Sequence, residues 1–136
     1  MQGIQPTTTA ISLSPSNHHV VVLGASPKPT RYSNRAVRLL QEQGYRVTPI
    51  HPRCAQIEGL AVTDKLERVE RPVHTLTLYL GPERLSPLID TVLALGPQRV
   101  IFNPGSELTE LEECLDQAGI PWLHACTLVM LSTRTF

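Results

Sequence analysis

The stretch HVVVLGASP, residues 19–27, decides the fold. Its first five residues form a short apolar run built on three consecutive valines, which is typical of a strand buried on both faces of a parallel sheet. Gly24 ends this run, and Pro27 and Pro29 prevent the residues that follow from forming a helix throughout. The stretch therefore predicts a first strand that leads into an open loop.

The rest of the chain alternates between strand-like and helix-like patterns. Four further strands are predicted, at residues 46–50, 73–80, 99–102 and 122–124. Three helices are predicted between them, starting at a Ser33 or Asn34 cap, at Pro82 and at Glu107, and ending near Gly44, Gly96 and Gly119. This alternation predicts an α/β fold, a Rossmann-like parallel five-stranded sheet with helices on both faces, in a single domain.

Composition limits the classes of function. The chain of 136 residues holds 12 basic and 12 acidic residues, so no overall field favours nucleic acid or an anionic membrane. No apolar run approaches the roughly 20 residues that span a bilayer. The three cysteines lack zinc-like spacing, which indicates free thiols in a reducing compartment. We expect a cytoplasmic protein that binds neither nucleic acid nor membrane.

The chain is expected to have two parts. Residues 1–17 are rich in Thr, Ser, Gln and Pro and show no sustained periodicity, so they are predicted to form a flexible N-terminal arm. Residues 18–136 are predicted to form the folded domain.

Ligands of open α/β sheets bind beyond the carboxyl ends of the strands, where loops converge. Four loops are predicted to lie there, at residues 24–33, 51–53, 80–82 and 103–107. The first has Gly24-Ala25-Ser26 where a dinucleotide fingerprint has G-x-G-x-x-G, so only the first glycine is present. As a dinucleotide motif this loop is weak.

The second of these loops indicates a phosphorylated ribose. An NAD site usually ends its second strand with an acid, and here the chain has His51-Pro52-Arg53 instead. The guanidinium of Arg53 would meet a ribose phosphate, such as that of NADP or of coenzyme A (CoA). Lys28 and Arg31 would add charge against a pyrophosphate. The alternative is that all three are solvated surface cations.

A series of short motifs runs in order along the chain. It consists of VLGASP at 22–27, GYRVTPIHP at 44–52, IEGL at 57–60, LYLGP at 78–82, IFNPGSE at 101–107 and ACTLVML at 125–131. This series resembles the stand-alone CoA-binding domain family, whose members are related to the N-terminal domain of the succinyl-CoA synthetase alpha subunit. The resemblance covers about residues 18–136.

The resemblance implies roles for several residues. Residues 24–27 would line the nucleotide phosphates, Arg53 would lie near the ribose phosphate, Leu80 and Pro82 would wall the adenine or pantetheine, and residues 103–107 would border the thiol end. His51 replaces an asparagine common in the family and inherits no role. The predicted cofactor-binding residues are Gly24, Ala25, Ser26, Pro27, Lys28, Arg31, His51, Pro52, Arg53, Leu80, Gly81, Pro82, Asn103, Pro104, Gly105 and Glu107.

The sequence predicts a binding module without catalysis. The synthetase's phosphorylated histidine lies in a second domain that this chain is expected to lack, and no nucleophile with a matching base stands out. The histidines and cysteines show no metal-ligand spacing, and Cys126 is interpreted as buried filler. The function predicted is therefore binding of CoA or an acyl-CoA.

Two alternatives remain open. One is an NADP-binding Rossmann protein, and the other is a regulatory or interaction domain that has kept the fold without the ligand. A homodimer or an unknown partner enzyme is also possible, with the apolar segment 127–131 as a potential interface.

Overall fold

A parallel sheet of five strands forms the centre of the computed structural model, which describes residues 17–136. Its strands are β1 (His19–Leu23), β2 (Arg46–Ile50), β5 (Thr75–Leu78), β6 (Arg99–Phe102) and β7 (Trp122–His124), in the spatial order β2-β1-β5-β6-β7. A separate antiparallel pair consists of β3 (Gln56–Ile57) and β4 (Leu60–Ala61). The predicted fold class is confirmed.

Helices cover both faces of the sheet. The α-helices are α1 (Tyr32–Glu42), α2 (Pro82–Leu85), α3 (Ile89–Leu95), α4 (Thr109–Ala118) and α5 (Thr127–Ser132). Successive residues of β1 point to opposite faces, so Val20 and Val22 pack with α1 and α5, whereas Val21 and Leu23 pack with α3 and α4. Across residues 17–136, none of the helices combines the length and the apolar character that crossing a bilayer requires.

The first helix begins earlier than predicted. Helix α1 starts at Tyr32, Arg31 is its N-cap, and no side chain caps it by a hydrogen bond. The expectation that Ser33 or Asn34 caps this helix is therefore wrong. Both residues lie within the first turn and are buried, and the Asn34 side chain has another task in the site.

The long helix predicted from Pro82 to Gly96 is interrupted. After α2 the chain forms a 3₁₀ turn at Ser86–Leu88 and then continues as α3. Pro87 lies inside this turn, lacks a backbone N–H, and its ring interferes with the preceding helical turn. The prediction of one continuous helix is wrong for this reason.

Helix α5 was not predicted from the sequence. The apolar segment 127–131, interpreted as a potential interface, lies entirely within it. Met130 and Leu131 are buried, and α5 packs against α1 on one face of the sheet. Only Val129 among its large apolar side chains is strongly exposed, at 56%. Most of this segment is therefore used by the core of its own domain.

The outer side of β2 is covered by its own chain at the carboxyl end of the strand. Pro49 lies within this edge strand, where a missing N–H is tolerated. Thr63 forms a parallel bridge with Ile50, donates from its N–H to the Pro49 carbonyl at 3.1 Å, and accepts from His51 N at 3.2 Å. The segment around Thr63 is thereby held beside the carboxyl end of β2.

A histidine cluster closes the amino-terminal end of the sheet, opposite the loops considered above. His18 is buried, its Nε2 lies 2.9 Å from Thr75 Oγ1, and its ring centroid is 3.7 Å from that of His74. The Arg99 guanidinium donates to the same threonine oxygen at 2.8 Å. Burial, followed by His74 and Arg99, lowers the pKa of His18 from 6.5 to about 3.

We expect the free energy of unfolding to decrease as the pH falls below neutrality. Folded His18 is neutral, whereas in the unfolded chain it binds a proton below pH 6.5, so its stabilisation is complete above that pH and is lost towards about pH 3. At about pH 5 this single group should account for about 1–2 kcal/mol. Urea unfolding at about pH 7 and at about pH 5 checks this difference in the free energy of unfolding. A His18→Gln variant should lose less stability on acidification, and an unchanged pH dependence would contradict the assignment.

Candidate functional site

A cleft of about 1210 Å³ opens at the carboxyl ends of β1, β2 and β5. Its walls come from the loop after β1, the turn after β2, the residues after β5, and the segment that carries the 3₁₀ turn Leu66–Arg68. This is the edge at which open parallel sheets bind their ligands.

The structure brings most of the predicted residues together at this cleft. Ten of them line it, namely Gly24, Ala25, Ser26, Pro27, Lys28, Arg31, His51, Pro52, Arg53 and Leu80. Six do not line it, namely Gly81, Pro82, Asn103, Pro104, Gly105 and Glu107. The role of all sixteen in ligand binding stays a prediction.

Gly24 makes the turn out of β1 in a conformation that requires glycine. Its φ is +92°, and a Cβ there would lie 2.8 Å from the Tyr79 carbonyl oxygen and 3.0 Å from Leu80 Cδ2. Tyr79 N also donates to the Leu23 carbonyl at 2.8 Å. The absence of a side chain lets the loop after β1 lie directly on the backbone that follows β5.

Asn34 holds the same loop from the side of α1. This side chain is fully buried; its Nδ2 donates to the Ser26 carbonyl at 3.0 Å and to Glu58 Oε2 at 3.1 Å. Its Oδ1 accepts from Arg38 Nε at 2.9 Å. Within the loop, Ser26 Oγ accepts from Lys28 N at 3.1 Å. Asn34 therefore positions the loop, a role that the sequence did not reveal.

His51 closes the turn that presents Arg53. The ring nitrogen Nδ1 accepts from the backbone N–H groups of Arg53 and Cys54, each at 3.0 Å. The proton of the neutral ring is thus on Nε2, which lies 3.9 Å from Cys54 Sγ. The histidine for which the resemblance gave no role fixes the backbone of this basic turn.

The cleft carries an excess of positive charge. Its basic side chains are Lys28, Arg31, Arg53, Lys65 and Arg84, and its acidic ones are Asp64, Glu67 and Glu83. Asp64 pairs with Arg68, a residue outside the cleft. Five basic groups therefore face three acidic ones, one of which is already engaged.

None of these five basic side chains makes a hydrogen bond or ion pair within residues 17–136. Six of the other seven are engaged: Arg35 over Tyr32, Arg38 with Asn34, Arg46 with Glu70, Arg68 with Asp64, Arg71 with the Ala94 carbonyl, and Arg99 with Thr75. Within residues 17–136, Arg134 is thus the one basic side chain outside the cleft that has no partner. Positive charge without an internal partner is concentrated in the cleft.

Several residues of the cleft were missed by the sequence analysis. Those with polar or aromatic side chains include Tyr32, Asp64, Lys65, Glu67, Tyr79, Glu83 and Arg84. Four of the lining residues belong to the segment 64–67, whose position depends on the bridge between Ile50 and Thr63. Local sequence carries no signal for that contact. Arg84 could have been found from its place in the first turn after Pro82.

Asn103 faces inward from the loop after β6. It is 2% exposed; its Nδ2 donates to Thr77 Oγ1 at 2.7 Å and to the Leu78 carbonyl at 2.9 Å. Its Oδ1 accepts from Thr127 N at 2.8 Å. In the same loop Gly105 N donates to Glu107 Oε1 at 3.0 Å. The structure thus gives Asn103 an internal role, joining β5 to the start of α5.

Among the described residues, the cysteines form no disulfide and no metal site. Cys54, Cys114 and Cys126 are free thiols, each partly buried. Within residues 17–136 no three His, Cys, Asp or Glu side chains come together as metal ligands. Burial raises the pKa of Tyr79 well above its ordinary value, and its hydroxyl oxygen is sealed from solvent without a hydrogen-bond partner.

Comparison with known families identifies the kind of domain. A family model described as a CoA binding domain matches residues 18–132. The chain belongs to the CoA-binding domain family. The resemblance noted from the ordered motifs is thereby confirmed.

Three individual proteins illustrate the similarity. A crystal structure of an uncharacterised protein is 38% identical, with 88% of this chain and 98% of that chain covered and a TM-score of 0.83. The dinucleotide-forming acetyl-CoA synthetase 1 of Ca. Korarchaeum cryptofilum, in complex with phosphate and ADP, shares the fold at 22% identity, with 83% of this chain on 26% of that one and a TM-score of 0.68. The uncharacterised Bacillus subtilis (strain 168) protein YneT is 24% identical over 66 residues, which cover 48% of this chain and about half (49%) of YneT.

Proposed function

We propose that the cleft binds CoA or an acyl-CoA through its phosphates, and that the domain acts as a non-catalytic binding module. The observation that carries this proposal is the set of five basic side chains that line the cleft without a partner among residues 17–136. Cations left unpaired in a concave site favour a ligand with several negative charges. CoA is such a ligand, since it carries a pyrophosphate and a separate phosphate on its ribose.

Three of the cations lie in the loops where the resemblance would place the phosphates of CoA. Lys28 and Arg31 belong to the loop that starts at Gly24, the loop that the family places against the pyrophosphate. Arg53 lies after β2, where the phosphorylated ribose is expected. Leu80 and Leu88 provide apolar surface in the same cleft for the pantetheine arm.

The chemistry of the cleft supports binding rather than a reaction. His51, the histidine in its wall, uses Nδ1 to accept two backbone N–H groups, so that nitrogen is not free to act as a base. Cys54 lies beside the other ring nitrogen but does not line the cleft. We further propose that the protein works in the cytoplasm, a reducing compartment in which its three free thiols would persist, and that it forms a homodimer or serves a partner enzyme.

Calorimetric titration with CoA and with dephospho-CoA tests the proposal. We expect the Arg53→Gln variant to bind CoA about 10- to 100-fold more weakly than wild type, because a charge-assisted pair with the ribose phosphate is lost. Affinity for dephospho-CoA, which lacks that phosphate, should be the same in both proteins.

Arg134→Gln is the matched control, because Arg134 is unpaired in the described structure but lies outside the cleft. Its affinity for CoA should equal that of wild type. Absence of CoA binding by wild type would overturn the proposal, and tighter binding of NADPH than of CoA would replace it with the NADP alternative. If neither binds, an interaction domain without a nucleotide ligand is the remaining interpretation.

A further inference from the structure

Tyr32 is an exposed aromatic side chain at the cleft. It is the first residue of α1 and, at 67% exposure, the most exposed of the large apolar side chains in residues 17–136. Tyr32 is one of the residues that line the cleft. An aromatic ring left open at a concave site offers a large apolar area that a ligand can cover.

One side of this ring is already occupied. The guanidinium carbon of Arg35, one helical turn further along α1, lies over the ring at 5.4 Å from its centroid. In the described part of the chain no second aromatic ring is in contact with Tyr32. A ring backed by a cation on one side keeps its other face for a planar, π-rich partner.

The other aromatic rings of the cleft, those of His51 and Tyr79, are less exposed than Tyr32. His51 is held by its two backbone hydrogen bonds at Nδ1. Tyr79 packs against the buried cluster beneath α1, and its hydroxyl is sealed inside the protein. Tyr32 is therefore the most exposed aromatic side chain of the described cleft.

The charges beside Tyr32 indicate what kind of planar group would come there. Arg31 precedes it directly and Lys28 lies in the same loop, and both are unpaired in residues 17–136. A flat aromatic group next to bound phosphate is the chemistry of a nucleotide. We propose that Tyr32 stacks on the adenine of the bound ligand and thereby determines which way the ligand lies in the cleft.

This inference rests on the proposed function and adds the orientation in which the ligand binds. With adenine against the start of α1, we place the pantetheine arm at the part of the cleft that is lined by Leu80, Leu88 and Arg84. An acyl group would then be recognised at that part of the cleft. The family resemblance left open whether Leu80 contacts the adenine or the pantetheine of CoA. In this orientation Leu80 contacts the pantetheine.

The test compares three ligands by calorimetry: CoA, adenosine 3′,5′-bisphosphate, which is its nucleotide half, and 4′-phosphopantetheine, which is its arm. Tyr32→Ala should weaken CoA and the bisphosphate by the same factor, about 10- to 100-fold, because the loss of one stacked base has this size. Binding of 4′-phosphopantetheine should be unchanged. Tyr32→Phe, which keeps the ring, should restore the affinity for CoA to near that of wild type.

Val129→Ala is the matched control, since Val129 is also an exposed apolar residue but lies on α5 outside the cleft. Saturation-transfer NMR adds a readout that a structural role would not change: adenine H2 and H8 signals should be strong in wild type and lost in Tyr32→Ala. If wild type binds CoA and Tyr32→Ala binds it equally well, the stacking inference is wrong while the proposed function stands. If wild type does not bind CoA, both are wrong.

Discussion

Replacing Gly24 by alanine is expected to destabilise the domain by about 2–4 kcal/mol and to weaken CoA binding strongly. An L-residue is strained at a φ of +92°, and the added Cβ would lie 2.8 Å from the Tyr79 carbonyl oxygen. That oxygen belongs to the backbone of β5 and its continuation, so it cannot rotate away as a side chain would. The loop after β1 would have to move, and the residues of this loop that line the cleft would be displaced.

Gly105→Ala provides the matched control for this experiment. Gly105 has a similar φ of +96°, but a Cβ there would meet nothing within 4 Å. Its substitution should cost only the backbone strain, about 1–2 kcal/mol. Urea unfolding and calorimetry with CoA on both variants separate strain from steric contact. Equal losses of stability and affinity in the two variants would show that the contact between Gly24 and Tyr79 has no special importance.

Asn103→Ala is expected to lower the free energy of unfolding by about 2–4 kcal/mol, because it removes three hydrogen bonds made by a buried side chain. The groups that lose a partner are Thr77 Oγ1, the Leu78 carbonyl and Thr127 N. Chemical denaturation measures the loss. The amino-terminal end of α5 should be most affected, and amide hydrogen exchange there should accelerate.

Thr127→Val is the comparison for this prediction. It removes the 2.8 Å hydrogen bond between the hydroxyls of Thr127 and Thr77 but keeps the backbone N–H that Asn103 accepts. A smaller loss of about 1 kcal/mol is expected. A stable Asn103→Ala protein with reduced affinity for acyl-CoA would instead support the role at the thiol end that the family resemblance implied for this residue.

Three strands of the parallel sheet could be predicted closely from sequence because their signals are local. The bounds of β1, β6 and β7 follow from short apolar runs between turn residues, and they agree with the structure. The general rule for parallel sheets then placed the loops after β1 and β2 at one edge. For this reason Gly24 and Arg53, which are far apart in the chain, were both expected at the cleft where the structure places them.

Features that depend on tertiary contacts could not be predicted. The amide of Asn34 was assigned to a helix cap because its sequence position allows one, but its partners are in distant segments, including Glu58. Lys65 lines the cleft only because Thr63 bridges to the end of β2. Whether a cation has a partner is likewise a property of the folded chain. The break at Pro87 is different, because its signal was present in the sequence and was outweighed by the apolar periodicity around it.

The covered edge of β2 has a consequence for how copies of this domain can associate. An exposed sheet edge is a template on which another chain can add a strand. On this side Thr63 already occupies the outer positions next to Pro49 and Ile50, and proline has no N–H to offer. Among the described strands, the three-residue strand β7 forms the other edge of the sheet, and strand addition is favoured there over the carboxyl end of β2. Strand addition along β7 alone would join two subunits into a closed pair and would not propagate into a fibre.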